Sequence, residues 1–291
     1  MNEYDKSLLN DTLGLSCIEN YLIYALHEQN RKYAFLYYKS YISLLDIINE
    51  FANNRVAFSS FYFIDRLHKT AKENGVIISN YEKNSLIPNL SDSTEYLAIS
   101  IEPEFIKNKY NTTLWRDDHF LLIKKQNNDN YYYLNDNPRD SGIINVNELH
   151  KIYSGTYFLF SLTKPKTYSI KETIYYIEYL LESIKNDENL LTSKFIINDI
   201  IAFRDIIGIL RITRKRIYNF CEEYIDVSFI NEYITLLNKT YASIEYMRLR
   251  NLFTTEKANE IILSIWYKDT YIVNLLKTNM EKYLNDIRKN Y

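Results

Sequence analysis

The 291-residue chain changes character at Pro165. All four prolines and four of the five glycines lie at or before that position. Past it proline is absent, Gly208 is the lone glycine, and apolar residues recur at three- and four-residue spacing to the end. Residues 1–165 must therefore fold as short elements joined by turns, and residues 166–291 are expected to be all helix. The fold class this predicts is α+β with an antiparallel sheet, followed by an all-helical C-terminal half packed on the first.

Within the first half Ser16 is placed to cap a helix over 17–29, because Ile18, Leu22, Ala25 and Leu26 repeat at helical spacing. Further helices are expected around 32–52, 59–74 and 102–110. Strand signals follow in "TEYLAISIE" (94–102), "DHFLLIKKQ" (118–126), "NYYYLNDN" (130–137) and "GTYFLFSLT" (155–163), separated by turn-forming runs such as "NNDN" and "NPRDSG". Four strands so close together favour antiparallel pairing. In the second half the periodicity predicts helices over 169–186, 193–225, 228–252 and 255–288, the last opened by a threonine cap and an acidic first turn in "TTEKANEI". Short connections imply antiparallel packing.

Composition narrows the function classes. Apolar residues make up 46% of the chain, enough for a real core, and the formal net charge of −2 offers no bulk attraction to nucleic acid or anionic lipid. No stretch approaches the ~18 apolar residues of a membrane span, and "MNEYDKSLLNDT" has no basic leader, so the expected location is the cytoplasm. The 29 tyrosines accompany abundant Asn, Ile and Lys and are read as a coding bias rather than an aromatic platform. Cys17 and Cys221 lie far apart without metal-ligand spacing, which predicts two free thiols in a reducing compartment. With neither a Gly-rich phosphate loop nor a His/Cys cluster, no metal and no cofactor is expected.

Cys17 stands at the first turn of its helix. There the dipole and the unpaired backbone N–H groups favour thiolate over thiol, and the nucleophile's own N–H is one oxyanion donor. His119 opens the strand "HFLLIKK", and Asp136 closes the next strand across a hairpin with its turn near Asn128. Positions 119 and 136 are expected to fall approximately opposite one another, within reach for a carboxylate to hold an imidazole. The bland alternative makes His119 a surface residue and Asp136 the start of an Asx-turn before Pro138. Cys, His and Asp in this order are what a thiol enzyme needs.

The blocks "LGLSCIENYLIYAL", "DDHFLLIKK", "YYYLNDNPRDSGIINVNELHKIYSG" and "TYFLFSL", spanning roughly residues 8–163, resemble the papain-like, C39-type cysteine enzymes. The added helical half makes the chain more similar to the acyltransferase branch known from butirosin biosynthesis, and to the amide-forming enzyme of closthioamide biosynthesis, than to exported peptidases. The resemblance implies a papain-like domain over 1–165 and a helical domain over 166–291. It also implies Cys17 as nucleophile, His119 as general base and acid, and Asp136 as orienting carboxylate. Protease relatives carry a glutamine five or six residues before the cysteine as an oxyanion donor; here Thr12 and Asp11 stand at those places, with Asn10 one further back. Asn10 and Thr12 are the candidate replacements. The implied reaction moves an acyl group from a phosphopantetheine thioester on an acyl or peptidyl carrier protein to an amine, since a thioester tolerates a weaker oxyanion site than a peptide does. An intracellular cysteine peptidase and a non-catalytic interaction protein are the rival readings.

Other candidates rank below these. His27 and Glu28 end the Cys17 helix, His68 and His150 sit in charged helical segments, and Cys221 lies mid-helix. "RITRKRIYNF" gathers Arg211, Arg214, Lys215 and Arg216 within two turns of one helix. Such a cluster is read either as a solvated face or as a landing site for an acidic carrier protein.

Overall fold

The computed structural model describes residues 8, 12, 14–52, 67–81, 86–88, 90, 94–111, 119–185 and 199–290. The helices are α1 (Cys17–Glu28), α2 (Leu44–Ala52), α3 (His68–Glu73), α4 (Pro103–Tyr110), α5 (Val146–Ile152), α6 (Ile170–Lys185), α7 (Ile200–Cys221), α8 (Ser228–Leu249) and α9 (Thr255–Lys289). The strands are β1 (Val76–Tyr81), β2 (Glu95–Ile101), β3 (His119–Lys125), β4 (Asn130–Asp136), β5 (Arg139–Asn145) and β6 (Tyr153–Leu162). They form one six-stranded antiparallel sheet in the order β1-β6-β2-β3-β4-β5. The α+β expectation and the antiparallel sheet hold.

The sheet is covered on both faces, which is why β2 and β3 read as nearly continuous apolar runs. One face carries Leu97, Ile99, Ile101, Leu121, Ile123, Tyr131, Tyr133 and Ile144, packed with Ile106 of α4 and with Leu149 and Ile152 of α5. The other face receives α1. Tyr96 donates to Glu28 at 2.7 Å and accepts from Gln29 at 2.8 Å, and Lys124 pairs with Glu28 at 3.3 Å.

Two strands and one helix escaped the sequence reading. β5 occupies most of "NPRDSG", a run expected to turn; the turn is only Asn137-Pro138, across which Asp136 pairs with Arg139 and Asn135 with Asp140. As an edge strand β5 buries fully only Ile144 and so lacks an apolar alternation. β1 is the opposite edge. α5 is capped by Asn145, whose side chain accepts from the Asn147 N–H at 2.9 Å. The β3–β4 hairpin turns where expected, with Asn127 Oδ1 accepting from the N–H groups of Asp129 and Asn130.

Past Pro165 the elements among the described residues are all helices, as the glycine and proline distribution predicts, and Thr254 caps α9 through the Lys257 N–H. The chain divides into two units, Met1–Tyr33 with Leu67–Lys166 and Ala34–Arg66 with Thr167–Tyr291. The single boundary expected at 165/166 is thus too simple, because α2 packs on α7 through its own apolar residues and joins the helical unit. Within that unit Phe35 stacks on Tyr168, with ring centroids 3.7 Å apart.

The basic run of α7 does not lie on the surface. Arg214, Lys215 and Arg216 are each 2% exposed, neither a solvated face nor an accessible landing site. α7 is buried nearly all round, with Ile206, Ile207, Ile209, Leu210, Ile212, Ile217 and Phe220 enclosed, so it runs through a core and takes its charges inside with it. Arg214 makes a two-pronged pair with Asp269, Nε to Oδ1 at 2.8 Å and Nη2 to Oδ2 at 2.6 Å, donates to the Ile42 carbonyl at 3.0 Å, and lies over the Tyr41 ring. Lys215 sits 4.0 Å from the Tyr218 ring centroid. Arg211, half-buried, lies over Tyr241 and donates to Asn238.

Removing one member of a buried pair leaves the other charged and unpaired. Asp269→Ala should cost about 3–5 kcal/mol in urea unfolding, whereas Arg214→Met with Asp269→Leu should recover most of it. Equal losses in the single and double variants would mean that the charges are not what stabilises this contact.

Candidate active site

Gly14, at φ +90°, turns the chain into Leu15 and Ser16, a conformation that glycine adopts without strain. Ser16 then caps α1 as the sequence predicts, its Oγ accepting from the Glu19 N–H at 3.2 Å. That cap leaves Cys17 at the first helical position, partly exposed, with residues 18–26 behind it buried. One turn on, the side chains of Asn20 and Tyr21 fix where this end of the helix meets the sheet. The Tyr21 hydroxyl donates to the Phe120 carbonyl at 2.7 Å and lies 3.2 Å from Asp136 Oδ1, and Asn20 Nδ2 donates to Asp136 Oδ2 at 3.2 Å. The Asp136 N–H returns to the Tyr21 oxygen at 3.3 Å. Burial, then the charge of Asp136, then Cys17 push the Tyr21 phenol well above its usual range. The α1 N-terminus, the start of β3 and the end of β4 therefore belong to one neighbourhood.

His119 opens β3 as expected, but its hydrogen-bond partner differs from the expected one. Imidazole Nε2 lies 2.5 Å from Asn135 Oδ1. The reason is strand parity. Leu122 pairs with Leu134 and Ile123 with Tyr133, so position 119 stands opposite 137 and shares a face with 135, while position 136 stands opposite 120 on the other face. Asp136 consequently points to α1 and anchors the Cys17 helix, and Asn135 rather than Asp136 meets the imidazole. Asp136 still acts on the imidazole through its charge. An amide carbonyl only accepts, so with the Asn135 oxygen turned to it Nε2 carries the proton, and Nδ1 is the unprotonated nitrogen. A strict count of positions from the hairpin turn at 127–129 would have found Asn135.

Of the oxyanion candidates, Asn10 lies outside the described residues, and Thr12 is buried with its hydroxyl donating to the Leu8 carbonyl at 2.8 Å. Cys221 is fully buried, and burial with the charge of Glu222 raises its thiol pKa. Glu28 serves the helix–sheet contact described above, His27 lies in the last turn of α1, His68 opens α3, and His150 is exposed on α5. Among the described residues no group of three or more His, Cys, Asp or Glu could hold a metal, and no helix is long and apolar enough to cross a membrane.

Compared with known proteins, the chain matches no family model and no curated protein.

Burial lowers the His119 pKa, against the opposing pull of the Asn135 hydrogen bond and the Asp136 charge. Its NMR titration should fall below about 6.5, the value of an unperturbed imidazole, and move lower still in Asp136→Asn. A folded-state pKa below the unfolded one favours the neutral ring. The stability this confers is present above about 6.5 and lost as pH falls through the folded value. The wild type should accordingly lose more stability than His119→Gln below that pH. A midpoint above 6.5 would contradict the buried, neutral imidazole.

Proposed function

We propose that the first unit is a papain-like, cysteine-dependent acyltransferase in which Cys17 is the nucleophile, His119 the general base and acid, and Asn135 the group that orients the imidazole. The observation that carries the reading is the His119–Asn135 hydrogen bond at the end of the sheet to which Tyr21 and Asn20 tie the first turn of the Cys17 helix. Cysteine at a helix N-terminus, imidazole with Nδ1 unprotonated, and a buried acceptor behind Nε2 are the parts of an activated thiol.

Nδ1 takes the Cys17 proton as sulfur attacks the thioester carbonyl on a carrier protein's phosphopantetheine arm. The tetrahedral oxyanion meets the N–H of Cys17, the donor at hand when the Thr12 hydroxyl is turned to Leu8. Collapse expels the carrier thiolate, which takes the proton from the imidazolium and leaves acyl-Cys17. An amine then attacks the acyl carbonyl, His119 accepts its proton, and Cys17 departs as the thiol with that proton restored to it. A thioester suits a site with few oxyanion donors because its leaving group needs little assistance. With Arg214, Lys215 and Arg216 buried, recruitment of the carrier falls to other surfaces.

Intact-protein mass spectrometry after mixing with acylated carrier protein should show one acyl group on the wild type and none on Cys17→Ala. Asn135→Ala should lose about 10²- to 10⁴-fold in transfer by misplacing the imidazole. Peptide turnover without a thioester would instead favour the peptidase reading, and the absence of any Cys17-dependent adduct the interaction-protein reading. Thr12→Val should leave the rate near wild type, since its proton is committed elsewhere; a loss of about 10²-fold, the size of one oxyanion donor, would return Thr12 to the site.

A further inference from the structure

Asn135 is fully buried, and an amide presents either its oxygen or its nitrogen to a neighbour with little change in shape. Presenting oxygen to His119 turns the nitrogen the other way, so something on that side must favour the N–H₂ end. Asn135 Nδ2 is buried and makes no hydrogen bond among the described residues.

The chemistry on that side is specific. Asp140 stands directly across the β4–β5 ladder from Asn135, on the same face. Its Oδ2 accepts from the Tyr110 hydroxyl at 2.7 Å and the Tyr133 hydroxyl at 2.9 Å, and pairs with Lys109 at 2.8 Å. Lys109 also donates to the Tyr133 hydroxyl and lies 4.1 Å from the centroid of its ring. Burial pushes the Asp140 carboxyl up, but the hydrogen bonds from Lys109, Tyr110 and Tyr133 outweigh it and hold the group ionised below its usual range. Burial and the Asp140 contact raise the Tyr110 phenol to about 12, and interaction with the Asn135 amide opposes that rise. Tyr110 thus keeps its proton and donates it in the hydrogen bond to Asp140, which leaves the phenol oxygen able to accept.

We propose that Tyr110, aimed by Asp140, is a positioning residue: it accepts from Asn135 Nδ2, holds the amide with its oxygen toward His119, and so keeps the imidazole proton on Nε2 and the lone pair on Nδ1. The donation runs one way, from His119 Nε2–H to Asn135 Oδ1, from Asn135 Nδ2–H to the Tyr110 oxygen, and from the Tyr110 hydroxyl to the Asp140 carboxylate that Lys109 neutralises. If the amide flipped, its nitrogen would donate to Nε2, the proton would move to Nδ1, and the base would be lost. The inference rests on the acyltransferase reading for its consequence in catalysis, but the tautomer is measurable without any activity.

The test is ¹⁵N NMR of the His119 ring in the full chain. The wild type should show the Nε2–H tautomer, and Tyr110→Phe should shift the ring toward Nδ1–H, with transfer kcat down at least 10-fold and KM little changed. Asp140→Asn should shift the tautomer in the same direction by releasing the phenol proton toward Asn135, and it serves if Tyr110→Phe does not fold. In an Asn135→Asp background both side-chain oxygens accept, so adding Tyr110→Phe should leave Nε2–H in place. An unchanged tautomer in folded Tyr110→Phe, or an equal shift in the Asn135→Asp background, overturns the positioning role. A correct tautomer response with no Cys17 acylation would leave the network standing and remove the acyltransferase reading instead.

Discussion

The buried phenol of Tyr21 is the contact on which the candidate site depends. It donates to the backbone of β3 beside His119 and accepts from the backbone of β4 at Asp136 while standing on the same helix face as Cys17. Asn20 adds a second tie to the same carboxylate. A thiol at a helix start becomes useful chemistry only if the helix cannot slide along the sheet. Tyr21 bonds to two strands, so a slide along either would break a bond inside the protein, where no water replaces it.

Strand alternation then divides the work between two neighbouring residues. Asn135 and Asp136 differ by one position and face opposite sides of the sheet, so one meets His119 and the other meets α1. Keeping the carboxylate one residue away from the imidazole has an electrostatic consequence. The imidazole feels the Asp136 charge without bonding to it, and burial still lowers its pKa, which favours a neutral base at neutral pH. Behind Asn135, Asp140 gathers two phenols and an ammonium, so this side of the sheet carries a satisfied polar network where one apolar core cluster would otherwise continue.

The helical unit uses charge differently. Arg214 is wholly enclosed and joins α9, α7 and the Tyr41–Ile42 segment through one guanidinium, whose five donors suit a carboxylate and a carbonyl together. Desolvating such a group is tolerable only because Asp269 meets it with two parallel bonds, which raise its pKa despite burial. The same contacts draw the segment from Tyr41 into α2 to the helical unit rather than to the sheet.

By itself the sequence determined what depends on neighbours along the chain. The Ser16 and Thr254 caps, the start of α1, the β3–β4 turn and the helical run past Pro165 are local hydrogen-bonding and periodicity effects and stand where expected, although α7 spans only Ile200–Cys221 of the expected 193–225. The places of Cys17 at a helix start and His119 at a strand start were legible for the same reason. Register, sheet edges and burial were decided only in three dimensions. Asp136 lost the imidazole to Asn135 because a single step along a strand reverses its face, and no local propensity records which face a partner strand will present. β5 was invisible because an edge strand needs no apolar alternation, and the basic run of α7 looked solvated because its partners, Asp269 and the Ile42 carbonyl, lie 55 positions after Arg214 and 172 before it. A charge's environment is set by what packs around it, and in a folded chain that is chosen by topology rather than by sequence neighbours.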